Sequence, residues 1–312
     1  MGFIMNKRTI GMWLYQNEGG KEVEDKIKKQ LQERGINSLT GVNLNNAIVS
    51  NSSILCDSHG NCYCDLKESI DLFFSYNASE QTPYQSYLYQ TLDKLMPTIN
   101  NYDSFKLTED KFQTSFLLKN NGIATADYEF FHKDNHLHLD FIMDKWSSAV
   151  CKPLDGWGGQ GLTKLEQESD IALLKHDLAK LDLSQVYIEK FINYDNTDYR
   201  VDIVDGNYIA CYGRKAKDGD WKTNITSGGS IFLREPEDEV IQLALKAAKI
   251  TGLEIAGVDI LYDREKEEYI VLEVNGIPAF ATKEQESLGL DFNDKKIKYI
   301  VELIDKRTSL KL

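Results

Sequence analysis

Cysteine is scarce in this chain: five residues in 312, an odd number in no repeated framework, which excludes a disulfide-built fold and suits a reducing compartment. Long apolar runs are missing as well. No stretch approaches the roughly 20 residues that span a bilayer, and Met1 to Gly20 has no signal-peptide apolar region, so a cytoplasmic protein with no membrane partner is expected. Asn6 stands where a myristoylation signal needs Ser or Thr. Basic residues are in deficit, 36 against 49 acidic, and the net charge of -13 argues against nucleic acid as a partner. No Gly-x-Gly-x-x-Gly follows the first strand-like segment and no Gly-Lys-Ser/Thr closes a Walker loop, so neither a dinucleotide nor P-loop chemistry is indicated. A convincing Ser-His-Asp or Cys-His set is absent, and the five histidines, His136 and His138 among them, fall outside the three chemistry-bearing motifs described below.

What is present is a chain long enough for two or three lobes, 42% hydrophobic and 27% charged, as folded soluble proteins are. The alternation of strand and helix signals predicts an α/β protein. The opening reads strand Thr9 to Tyr15, helix Glu22 to Arg34, and an unbroken apolar strand Ile70 to Tyr76. A second lobe starts near Tyr102, with a helix capped by Thr108, carrying Glu109 and Asp110 in its first turn and burying Phe112, Phe116 and Leu117. Strands at Asp127 to His132, Ala149 to Lys152 and Gln185 to Phe191 and a helix near Ile171 to Lys180 follow. A third lobe has strands at Arg200 to Val204, Tyr208 to Arg214, Gly257 to Tyr262 and Tyr269 to Asn275, and a helix Glu237 to Thr251 stopped by Gly252. The units expected are therefore 1–101, 102–189 and 190–312.

Cys56, His59, Cys62 and Cys64 supply four zinc-type ligands within nine residues. A β-hairpin turning at Ser58-His59-Gly60-Asn61 is the preferred reading, because the Cys62–Cys64 spacing is not that of a zinc knuckle.

Three motifs carry chemistry. In the run from Val150 to Gly161 a strand delivers Lys152 to a loop containing Gly156, Gly158, Gly159 and Gly161, together with Trp157 and Gln160. Such a loop lets backbone N–H groups approach phosphate oxygens without Cβ obstruction, although a glycine turn by itself is more often only a turn. In Tyr269 to Asn275, alternation puts Ile270, Leu272 and Val274 on one face and Val271, Glu273 and Asn275 on the other. Asp259, between Val258 and Ile260, adds a third oxygen ligand of the hard, open type magnesium requires. Finally, Asp198 and Arg200, then Arg214 and Lys215, then Thr223-Asn224 and Gly228-Gly229 follow in series, and Arg214 and Lys215 could hold an anion.

The order of these parts, from about Tyr102 to Lys306, resembles the ATP-grasp superfamily and within it the RimK-like carboxylate-amine ligases. The resemblance rests on Lys111, the Lys152 strand and its glycine loop, Val186 to Ile192, Asp198 to Arg200, Arg214-Lys215, Thr223-Asn224, Gly228-Gly229, Asp259 and Glu273 to Asn275. It implies an ATP-grasp fold of two lobes, 102–189 and 190–312, behind a Rossmann-like pre-ATP-grasp domain, 1–101. It further implies that Lys111, Lys152 and the glycine loop contact ATP phosphates, and that Glu189, Lys190, Phe191 and Ile192 meet adenine. Asp198 would turn toward the ribose, with Arg200 also on the nucleotide side. Asp259, Glu273 and Asn275 would hold one or two Mg2+ ions (or Mn2+), and Arg214, Lys215 and Asn224 would line the reaction centre. Trp157 and Gln160 make the loop bulkier than the small-residue version common in relatives, and Gly276 to Phe280 is only similar to the usual Pro-Gly ending.

The activity implied is ligation of a carboxylate to an amine through an acyl phosphate, adding an amino acid such as glutamate to a small molecule, a peptide or a carrier-protein tail. A homodimer or homotetramer is the family expectation. An ATP-grasp kinase and a non-catalytic nucleotide-binding regulator are the competing classes, and the intact Asp259, Glu273, Asn275 and Arg214 weigh against the second.

Overall fold

A computed structural model describes residues 8–15, 17–57, 63–77, 81–156, 158–180 and 184–309. The chain opens with strand β1 (Thr9–Leu14), whose last five side chains are all buried, and helix α1 (Glu18–Glu33). The helix starts a turn earlier than its apolar spacing predicts, because Asn17 caps it by accepting from the Gly20 N–H at 2.7 Å. Gly20 is required there: a Cβ would lie 1.9 Å from the Tyr15 carbonyl oxygen. Short strands β2 (Asn37–Leu39), β3 (Ile48–Ser50), β4 (Ser53–Asp57) and β5 (Tyr63–Asp65) follow, then helix α2 (Leu66–Ser69), strand β6 (Leu72–Tyr76), helix α3 (Pro83–Leu95) and strand β7 (Thr98–Ile99). A parallel sheet forms in the order β2-β1-β6-β7, which is why β1 and β6 read as continuous apolar runs. In the predicted hairpin, β4 pairs antiparallel with β5 and sets Cys56 opposite Cys64; the turn with His59 and Cys62 lies outside the described residues. Among the described residues the cysteines are free and no three-donor metal cluster occurs.

The next unit holds helices α4 (Tyr102–Glu109) and α5 (Lys111–Asn120), strand β8 (Tyr128–His132), helix α6 (His138–Trp146), strands β9 (Ala149–Lys152) and β10 (Thr163–Leu165), helix α7 (Glu168–Lys180) and strand β11 (Gln185–Lys190). The expected cap at Thr108 is overturned. Thr108 lies inside α4 and its hydroxyl bonds back to the Phe105 carbonyl, whereas Asp110 joins the two helices and caps α5 through the Gln113 N–H. The buried face of α5 is accordingly Thr114, Ser115 and Leu118, and Phe116 is half exposed. The sheet runs β10-β9-β11-β8. Ala149, Val186 and Ile188 pack with Leu139, Ile142 and Ile171 from α6 and α7, so alternation turns Val150, Lys152, Tyr187 and Glu189 to the opposite, open face.

The last unit contains β12 (Thr197–Val204), β13 (Asn207–Lys215), β14 (Ser230–Phe232), α8 (Asp238–Thr251), β15 (Ile255–Asp263), β16 (Glu268–Asn275), α9 (Lys283–Ser287) and α10 (Asn293–Ser309). The strands form an antiparallel sheet, β14-β13-β12-β15-β16. Tyr199, Val201 and Ile203 pack against Val240, Ala244 and Ala247 of α8, which leaves Asp198, Arg200 and Asp202 on the other face. Simple alternation fails in β16: Asp259 stands opposite Glu273 while Ile260 stands opposite Val271, so Leu272 is an extra, bulged residue. Val271 and Val274 therefore share the α8 core, and Leu272 comes out beside Glu273 on the open side.

Helix α10 returns to the start of the chain and buries Ile297, Ile300, Val301 and Ile304 with Ile27 and Leu31 of α1 and with β1 and β6. Asn100 ties the same units together with a full set of bonds, donating to the Ile255 and Gly276 carbonyls and accepting from the Glu254 and Ile255 N–H groups. Replacing Ile300, 0% exposed, by alanine should reduce unfolding free energy by about 2–5 kcal/mol in chemical denaturation, the span for a large-to-small core change. A change under about 0.5 kcal/mol would show that α10 does not complete this core.

Candidate active site

The open faces of the two antiparallel sheets confront each other across a cleft with two adjoining cavities. One, about 490 Å³ counting the space open to solvent at its mouth, is lined by Lys111, Lys152, Gly156, Gly158, Gly159, Gln160, Arg214, Asp259 and Glu273. The other, also about 490 Å³, is more apolar, with Val150, Phe191, Ile192, Tyr194, Trp221, Leu261, Glu189 and Lys190 in its wall. Lys152, Leu162, Thr223, Asn224 and Leu272 border both, so a flat apolar group in one and an anionic group in the other would be contiguous.

Lys111 is the first residue of α5; its Nζ donates to the Gly156 carbonyl at 2.7 Å and lies 3.5 Å from a Glu273 oxygen. Lys152 ends β9 and pairs with Glu189 of β11 at 2.5 Å, and Glu189 also accepts from the Tyr187 hydroxyl at 2.8 Å. Lys190 is paired with Glu265 at 2.5 Å. Gly158 and Gly159 have φ of +71° and +74°, which L side chains rarely adopt. Space forbids a side chain as well: a Cβ on Gly158 would lie 2.5 Å from Thr226 Oγ1 and one on Gly159 2.7 Å from Asn224 Oδ1. Thr226 Oγ1 donates to the Gly158 carbonyl at 2.6 Å, so the loop of one sheet is latched to the 224–229 turn of the other. Gly161 has φ of +70° behind this contact, and Trp157 lies outside the described residues. Two lysines beside a glycine loop make a grip for phosphate oxygens.

The facing sheet presents buried charge. Asp198 is 1% exposed: both its oxygens accept from Arg214, at 2.8 and 2.6 Å, and Thr223 Oγ1 donates to it at 2.6 Å. Strand pairing sets Asp198 opposite Arg214, so in this arrangement the guanidinium takes up both carboxylate oxygens. Asp259 accepts from Arg200 at 2.5 Å and from Arg214 at 2.8 Å. Burial works against the charge on Arg214, but Asp259 and Asp198 outweigh it and hold its pKa well above the ordinary value. Burial opposes Arg200 likewise, and Asp259 raises its pKa. Lys215 does not line either cavity; one residue beyond the inward Arg214, it is sent to the opposite, exposed side by strand alternation. Asn275 is half-buried at the end of β16, two residues beyond Glu273, and does not line the cavity in this arrangement.

Asp259 and Glu273, opposite each other in register and both open to the cavity, suit a hard cation whose shell is completed by ligand oxygens. Residues that sequence reasoning missed are Leu162, Trp221 and Thr226. Their only signal was adjacency to motifs, because what they do depends on the sheet opposite.

A family model of the RimK-like ATP-grasp domain matches residues 108–300. A tetrahydromethanopterin:alpha-L-glutamate ligase of Methanocaldococcus jannaschii is 28% identical over 248 residues, covering 78% of this chain and 83% of that protein. An alpha-aminoadipate–LysW ligase of Saccharolobus solfataricus is 27% identical, covering 67% and 76% respectively. The D-alanine–D-alanine ligase of Bacillus anthracis, solved with ATP, shares the fold, with a TM-score of 0.64, 19% identity, and coverage of 98% of this chain and 100% of that one.

Replacing Thr226 by valine removes the latch hydroxyl without changing side-chain size. Amide hydrogen exchange of residues 158–161 should speed up roughly twofold to tenfold, as loss of one hydrogen bond of about 0.5–1.5 kcal/mol requires. Unchanged exchange would mean that the loop is held by something other than this bond.

Proposed function

We propose, since the chain belongs to the RimK-like ATP-grasp family, that it is an ATP-dependent carboxylate-amine ligase forming an amide bond through an acyl phosphate. The observation that carries this reading is the convergence of Lys111, Lys152, the glycine loop, Arg214, Asp259 and Glu273 around one cavity beside an apolar slot. On this reading 1–101 is the pre-ATP-grasp unit, and 102–189 and 190–312 are the two lobes that close on the nucleotide. The base occupies the slot between Phe191, Ile192 and Leu261, along the strand that carries Glu189 and Lys190. Lys111 and Lys152 take the phosphates in place of the Glu273 and Glu189 oxygens they now hold, while the loop covers them.

Mg2+ would be held by Asp259, Glu273 and Asn275, and when bound would neutralise phosphate charge. The γ-phosphoryl group passes to a carboxylate oxygen of the acid substrate; the amine nitrogen then attacks the acyl carbon and inorganic phosphate leaves. Arg214, fixed by Asp198, faces the oxygens on which charge builds, and Asn224 adds a donor beside it. Positioning and charge suffice for such a reaction, so the lack of a nucleophilic triad is no obstacle. The glutamate ligase named above supports glutamate as the amino acid added, to a small molecule or a peptide.

The test is ADP and phosphate release with Mg-ATP over a panel of amino acids and peptides, in wild type and Glu273→Ala. Release that needs both an acid and an amine, with a product heavier by one residue, is expected, and the variant should be slower by roughly 10²-fold or more. ADP with a stable phosphoester and no amine requirement would make the protein a kinase. Binding of ATP without turnover under any pair, equal in both proteins, would overturn the enzyme reading.

A further inference from the structure

Asp198, Arg200 and Asp202 alternate along β12, and their partners continue the alternation of charge: Arg214 on Asp198, Asp259 on Arg214 and Arg200, Lys296 on Asp202. One link in this series is open. Asp202 Oδ2 accepts from Lys296 Nζ at 2.8 Å, but Asp202 Oδ1 is buried with no hydrogen-bond partner among the described residues. Arg200 Nε is buried and without a partner in the same sense. Two adjacent groups of opposite charge each leave one buried atom unbonded, a cost that calls for a second use of those atoms.

The geometry brings them together. Arg200 stands opposite Asp259 in the ladder, and Asp202 stands opposite Gly257. The Arg200 side chain runs over Gly257, whose Cβ would fall 3.2 Å from Arg200 Nε and Cζ, so the guanidinium lies along the stretch between Asp259 and Asp202. Glycine at 257 leaves that track clear. Lys296, 0% exposed, also donates to the carbonyls of Pro278 and Ala279, so the end of the array opposite Asp259 is fixed. Tyr76 and Tyr212 complete the surroundings of the two groups.

We infer that Asp202, anchored by Lys296, is a positioning residue: a second acceptor to which Arg200 turns when a divalent cation takes up Asp259. Without the cation, Arg200 shares Asp259 with Arg214 and keeps that buried carboxylate neutralised. With the cation, a guanidinium left on the same carboxylate faces like charge at close range, and the open Asp202 oxygen receives it. This rests on the ligase reading in one respect only, that nucleotide and cation meet at Asp259.

Binding of Mn2+ in the presence of ADP, followed by electron paramagnetic resonance, distinguishes this from a purely structural buried pair. Lys296→Met strips Asp202 of its counter-charge, strengthens its pull on Arg200 and should tighten Mn2+ by about fivefold. The double change Asp202→Asn with Lys296→Met removes that pull, is neutral overall, and should weaken Mn2+ by about fivefold while ADP alone binds as in wild type. Should the single variant not fold, the double one decides alone: unchanged or tighter Mn2+ overturns the inference. Shifts of both variants in the same direction overturn it too. Wild-type protein that binds no Mn2+ with ADP would instead overturn the ligase reading beneath it.

Discussion

The structure depends on a row of buried charges that strand register alone brings together. Asp198, Arg214, Asp259, Arg200, Asp202 and Lys296 are three acids and three bases, of which five are under 10% exposed and Arg200 is nearly so at 13%. Any one of them would be prohibitive without its neighbours, since an unpaired buried charge costs several kcal/mol. Together they are neutral, and each is placed by the ladder: Asp198 opposite Arg214, Arg200 opposite Asp259. A one-residue slip in β12 would turn Asp198, Arg200 and Asp202 into the apolar α8 core, so the array also enforces the register of that strand.

From that row the remaining architecture follows. Its Asp259 and Arg214 end opens on the cavity, and its Lys296 end is sealed by α10, which packs on α1 and the parallel sheet. The carbonyls of Pro278 and Ala279 and the Tyr76 hydroxyl meet at the sealed end, so the first unit of the chain is bonded to the segment that leaves the Glu273 strand. Near the cavities the smaller sheet is joined to the larger one by the Thr226 bond to the Gly158 carbonyl and by the Lys190–Glu265 pair.

How much of this was legible beforehand depended on whether a residue's role is set locally. Lys152 at a strand end before a glycine loop could be placed from spacing alone, and so could Arg214 and Glu273, because strand and loop geometry are local. The role of Asp198 was not, because only tertiary pairing decides whether a carboxylate meets a ligand or a guanidinium. Lys215 failed for the opposite reason: two adjacent basic residues on a strand cannot face the same way, and nothing local says which one faces in. The bulge at Leu272 could not be read from a continuous apolar run, yet it brings Leu272 to the open side beside Glu273. Thr108 lost the cap to Asp110 because two short helices abut where one was expected.

The pairing of charges in the cavity bears on how a nucleotide can enter a protein whose net charge is -13. Lys111 is beside Glu273, Lys152 holds Glu189, Arg214 is shared by Asp198 and Asp259, and Arg200 is on Asp259. Each of these four cations therefore already has an anion beside it. A triphosphate arriving alone would have to take Lys111 and Lys152 from their carboxylates and leave Glu189 and Glu273 uncompensated beside new negative charge. On the proposed reading, a divalent cation entering with it would remove that penalty at Glu273 and Asp259. On that reading, strong mutual dependence of nucleotide and cation binding would then follow from the pairing itself.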